Sequence, residues 1–134
     1  MLKFKLLVFC ILLFPSINIF GEENIRIDVM YFHATMRCQS CLTIEEFTRN
    51  SVNSSFEKEL KDSSIKLTIL DFQDEKNEHF QDDYKFETQT LIISKKIDGK
   101  EVKWKNLEKI WDYMNNYEKF RTYVAEEVKQ LIKE

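Results

Sequence analysis

A chain of 134 residues with a net charge of −3 and interspersed acids and bases has room for one compact domain and no basic stripe, which argues against a nucleic-acid partner. One proline and two glycines leave little flexible linker, and no repeat or low-complexity block occurs. Three cysteines are too few for a multi-disulfide scaffold, so a close pair must serve redox work, metal binding or a single local staple.

Residues 1–21 read as an export signal. Lys3 and Lys5 form a short positive region, and Leu6 to Phe14 is an unbroken apolar run that Pro15, Ser16 and Asn18 end. That run is far shorter than the roughly 20 residues a spanning helix needs. Gly21 offers a small residue for cleavage before Glu22, although Ile19 is not the small residue expected two positions earlier. An uncleaved N-terminal anchor is the alternative. Cys10 is a filler of the apolar run, lost with the signal. The mature domain is then residues 22–134, secreted or periplasmic, without a stable transmembrane span.

Ile25 to His33 (IRIDVMYFH) alternates at first and then turns almost wholly apolar, which predicts a buried central strand. Helix follows from Cys41, with Cys41, Ile44 and Phe47 on one face. After the polar run Asn50 to Ser55, Ser54 and Glu57 fit a capping box, and the helical stretch ends near Asp62. Ile65 to Phe72 is the second strand, Lys76 to Tyr84 a short charged helix, and Thr90 to Ser94 the third strand. Asp98-Gly99 predicts a turn into a fourth strand, Glu101 to Lys105, antiparallel to the third. Asn106 can cap a helix bearing Leu107, Ile110, Trp111 and Met114. A last helix carries Tyr117, Phe120, Val124, Val128 and Leu131 on its apolar side.

The order is βαβαββα plus a C-terminal helix. Strands separated by helices imply parallel pairing of the first three, and the hairpin adds an antiparallel edge. This is an α/β chain of minimal thioredoxin-like order, a mixed sheet with a parallel core and an antiparallel edge hairpin. Its most specific feature is Cys38-Gln39-Ser40-Cys41, set between the first strand and the first helix. A thiol at a helix N-terminus meets unpaired N–H groups and the positive end of the dipole, both of which favour thiolate.

The string Tyr31-Phe32-His33-Ala34-Thr35-Met36-Arg37-Cys38-Gln39-Ser40-Cys41, with Thr43-Ile44-Glu45-Glu46, resembles a small thioredoxin-like family. Its members are described as a nitrophenyl-compound nitroreductase subunit, ArsF-type. Asp98 to Leu107 and Trp111 are similar to it as well, so the resemblance covers nearly all of residues 27–133. It implies an exported thioredoxin-like protein and, as a label of association, no nitroreductase activity of its own. Against ordinary thioredoxins the chain departs at three points. Arg37 stands where they have Trp, Phe32 where they have a buried carboxylate, and Gln89, before Thr90, where they have a cis-proline. The docking edge formed by Arg37 and Gln89 is expected to be more polar than theirs.

The first reading is therefore an exported dithiol–disulfide oxidoreductase exchanging electrons with an exported protein that carries a thiol or disulfide. Cys38 is the attacking thiol and Cys41 the resolving one. Arg37 lowers the Cys38 pKa, and His33 can donate a hydrogen bond or proton. The alternative is a non-catalytic binding module or accessory subunit. Its cysteines form a structural disulfide or, with His33 and His79, hold a soft metal such as Zn²⁺ or Cu⁺. Arg37 is then a solvated charge and His33 a strand-end imidazole. No glycine-rich loop offers a phosphate cradle, so neither flavin nor nicotinamide is expected, and the Trp104, Trp111, Tyr113, Tyr117, Phe120 and Tyr123 aromatics read as core.

Overall fold

The computed structural model describes residues 21–134, so the expected export signal lies outside it except for Gly21. Four strands, β1 (Ile25–His33), β2 (Ile65–Asp71), β3 (Thr90–Ile97) and β4 (Lys100–Asn106), form one sheet in the order β2-β1-β3-β4. Four helices, α1 (Gln39–Ser55), α2 (Glu57–Lys61), α3 (His79–Tyr84) and α4 (Tyr117–Lys133), complete the described chain with a 3₁₀ turn at Glu108–Ile110. β1 pairs β2 in parallel across the α1–α2 crossover, and β3 and β4 form the expected antiparallel hairpin. With a C-x-x-C at the start of α1, this order and these directions make the fold thioredoxin-like.

β3 runs antiparallel to β1, pairing Thr90 with Phe32 and Ile97 with Ile25, whereas the alternation of strands and helices implied a parallel pair. The reason is the length of the connection. α3 has six residues and rises about 9 Å, far less than the roughly 26 Å of an eight-residue strand. The link from β2 holds no element long enough to run back along the sheet, and β3 starts at the edge where β2 ends.

Alternation along β1 separates two cores. Ile27, Val29 and Tyr31 face α1 and α4, meeting Ile44, Val52, Val124 and Val128 in the larger cluster. Met30 and Phe32 face α3 and pack with Phe72, Tyr84, Phe86 and Ile92. Continuous burial from Ile27 to Phe32 is what the central strand of such a layered sheet requires.

Three local expectations give way. Ser54 does not form a capping box; it lies inside α1 and its hydroxyl donates to the Ser51 carbonyl at 3.4 Å, while the break falls at Phe56 (φ −137°, ψ 37°). Asn106 caps no helix, because it ends β4 and its Oδ1 accepts from Thr90 Oγ1 at 2.5 Å. The segment carrying Leu107 and Ile110 is a single 3₁₀ turn that buries both residues against the larger core. α4 instead starts at Asn116, whose side chain accepts from the Lys119 N–H at 3.0 Å. Its far end is bound by cations: buried Lys95 donates to the Ile132 carbonyl at 3.1 Å, and Lys103 and Lys105 pair with Glu134. At the hairpin turn Asp98 and Gly99 both have positive φ (50° and 82°), as a type I′ turn demands.

Candidate functional site

The dithiol lies where β1 hands the chain to α1. Cys38 is the N-cap of α1, with an extended backbone (φ −90°, ψ 167°), and its Sγ accepts the Cys41 N–H at 3.3 Å. A sulfur thus takes the place of the usual oxygen in binding an orphan donor of the first turn. Cys38 and Cys41 are joined as a disulfide with Cα atoms 5.1 Å apart. Cys38 is exposed while Cys41 is 1% exposed, so only one sulfur is open to an incoming group.

Beneath the first turn lies Tyr31, fully buried, whose hydroxyl donates to the Cys41 carbonyl at 3.1 Å. Burial pushes its pKa up to about 12, the Arg37 charge working against that and the Glu45 charge with it, so the phenol stays a donor at neutral pH. Beside it, Arg37 pairs with Glu45, and Glu45 also binds Arg49 at 2.8 Å. The cation expected to act on Cys38 alone is therefore shared with a carboxylate. From sequence Tyr31 and Glu45 entered only within the strings that carry the family resemblance, with no role of their own at the dithiol.

The loop ahead of the dithiol is tied to the end of β2. The Thr35 N–H donates to Gln73 Oε1 at 2.9 Å, and Thr35 Oγ1 donates to Asp71 Oδ2 at 2.7 Å. Chiefly through the Thr35 hydroxyl, Asp71 is held below its ordinary carboxyl pKa. His33 ends β1 opposite Asp71 in register. Its Nδ1 is 2.9 Å from the Ala34 carbonyl, which can only accept, so that nitrogen carries the proton and bonds backbone instead of sulfur.

Thr90 opens β3 opposite Phe32, at the same sheet edge as the dithiol, with its hydroxyl committed to Asn106. Gln89 precedes it with Oε1 bound by the Thr88 hydroxyl at 2.6 Å, and the described chain has no cis peptide bond. Phe32, at the position of the thioredoxin carboxylate, lies among Phe80, Tyr84 and Phe86 with ring centroids 4.8–6.3 Å away. The expected polar rim is mixed. Met36, 88% exposed, and Leu42, 45% exposed, flank the cysteines along with Arg37.

His79 is not gathered to the cysteines: it is exposed on α3 and bonds Asp83 at 2.9 Å. Among the described residues no three His, Cys, Asp or Glu side chains form a cluster able to hold a metal ion. No helix among them is long and apolar enough to cross a membrane.

No family model and no curated protein matches the chain, so the narrower resemblance to the nitroreductase-subunit family gains no support. Among solved structures, a thioredoxin from Fasciola hepatica is 22% identical with a TM-score of 0.40, over 69% of this chain and 81% of that one. A structure described as that of a malarial protein is 20% identical, also with a TM-score of 0.40, over 60% and 80%. Likeness at this level adds nothing to the topology described above.

Proposed function

We propose that the protein is an exported dithiol–disulfide oxidoreductase acting on a protein partner through Cys38 and Cys41. The observation carrying this reading is the asymmetry of the pair, with Cys38 exposed at the helix cap and Cys41 buried one turn in. A partner thiolate attacks Cys38 Sγ, the intramolecular S–S bond breaks, and Cys41 leaves and takes up a proton. A second partner thiol then displaces Cys38, so two electrons and two protons pass from partner dithiol to protein disulfide. The reverse sequence oxidises the protein's dithiol. The N–H of Cys41, already directed at Cys38 Sγ, stabilises the thiolate on that sulfur.

As a staple the disulfide gains less than one closing a longer loop. Closing so short a loop within one helical turn restricts the unfolded chain by only about 2 kcal/mol on the chain-entropy model, against about 3 kcal/mol for a 15-residue loop. Export is part of the proposal, supported by residues 1–21 and by a disulfide at home in an oxidising compartment. Membership of the nitrophenyl-compound nitroreductase subunit family is likewise proposed only, and rests on the string Tyr31 to Cys41.

The experiment is equilibration with glutathione or dithiothreitol buffers, followed by trapping with the Cys41→Ser variant. Reversible exchange and a mixed disulfide on Cys38 are expected. A disulfide that resists reduction across the accessible range overturns the reading and leaves a staple.

A further inference from the structure

The cation next to Cys38 in the chain is not free. Arg37 Nη2 donates to Glu45 Oε2, two turns into α1, while Glu45 Oε1 accepts from Arg49 Nε at 2.9 Å. The Glu45 side chain is only 16% exposed. Burial pushes its carboxyl pKa up, but the hydrogen bonds and charges of Arg37 and Arg49 outweigh that and leave it below its ordinary value. Glu45 is thus ionised at neutral pH. One further donor, Arg37 Nε–H, is buried without a partner. In the disulfide state, then, the guanidinium of the residue preceding the exposed cysteine in the chain is clamped by a carboxylate and still holds an unused donor.

Reduction places a new negative charge at Cys38, the N-cap of α1 and the next residue after Arg37. The thiolate and Glu45 then compete for one guanidinium. Resting on the oxidoreductase reading above, we propose that Glu45 is a positioning residue that sets the poise of the Cys38–Cys41 couple by sharing Arg37 with the Cys38 thiolate. Glu45 opposes the thiolate, so it keeps the reduced form less favoured, and the couple more reducing, than Arg37 alone would make it. Arg49 holds the second carboxylate oxygen and so limits how far Glu45 can follow Arg37 toward the sulfur.

The test is the equilibrium constant with glutathione in Glu45→Gln, Arg37→Gln and the double variant, together with the pH midpoint of Cys38 alkylation in each. Removing the Glu45 charge is expected to shift the equilibrium toward the reduced form by roughly three- to tenfold, tenfold being about 30 mV for a two-electron couple, and to move the alkylation midpoint to lower pH. Arg37→Gln is expected to move both in the opposite direction. In the Arg37→Gln background the Glu45→Gln effect should shrink to less than about twofold. A merely structural role for Glu45 would move melting without these opposite shifts. The proposal fails if Glu45→Gln leaves potential and midpoint unchanged, or shifts them equally in both backgrounds. Should Glu45→Gln not fold, Arg37→Gln decides alone, an unchanged potential counting against the proposal. A wild-type disulfide inert to both thiol buffers is a different failure, that of the oxidoreductase reading itself.

Discussion

Cys38 serves as a helix cap and Cys41 as a core residue, and on the proposed oxidoreductase reading that division makes Cys38 the attacking thiol. In reduced protein Cys38 lies at the positive end of α1 with the Cys41 N–H directed at its sulfur, while Cys41 is buried, where ionisation is penalised. Cys38 in Cys41→Ser is therefore expected to alkylate with a midpoint below the free-thiol value of about 8.5, and Cys41 in Cys38→Ser above it. Iodoacetamide labelling against pH in the two variants checks this, and faster labelling of Cys41 at neutral pH would sink it. The pair itself was legible in sequence because spacing and flanking patterns carry it. Its immediate partners were not. Tyr31 reaches Cys41 and Glu45 reaches Arg37 across a strand–loop–helix corner whose geometry no periodicity encodes.

The elements were legible where a repeat of 2 or 3.6 residues ran long enough, as in β1, β2, the β3–β4 hairpin and α4. Asparagine misled, because one residue type serves two purposes. Asn106 follows an alternating strand and spends its carbonyl on Thr90, whereas Asn116, ten positions on, is the residue that caps a helix. Replacing Asn116 by Ala removes the acceptor of the Lys119 N–H and is expected to cost about 1 kcal/mol by urea denaturation. Asn106→Ala should leave the start of α4 intact. Equal stability of Asn116→Ala and wild type would show that the cap contributes nothing. Strand direction was hidden for a different reason: alternation reports which face a residue takes and is the same read in either sense. The antiparallel direction of β3 shows only in its pairing, Thr90 opposite Phe32 and Ile97 opposite Ile25.

Over the whole molecule, acid is expected to destabilise the fold through carboxylates bound more strongly when ionised. Glu134 is held to about 2, against an ordinary 4.5, first by hydrogen bonds from Lys103 and then from Lys105, and Asp71 and Glu45 are lowered in their own settings. A depressed folded-state pKa gives stability that is full above the unfolded value and lost as pH falls through the folded one. For Glu134 the loss runs from about pH 4.5 down to about 2. Its ion pairs are solvent-screened, so added salt should weaken the effect. Urea midpoints measured across that range should fall less steeply in Glu134→Gln, and an unchanged slope would refute its share. The sheet order also has a consequence in time. β1 leaves the ribosome before the other three described strands and is the one on which the sheet is built, yet its neighbours begin only at Ile65 and Thr90. Until β3 exists, a strand whose second half is almost wholly apolar waits with an open edge, and pairings so distant in sequence form slowly. Arg26 and Asp28, which form an ion pair beside Lys96 in the finished sheet, are charges within that strand, and charge on an open strand edge is one of the features that disfavour edge-to-edge association.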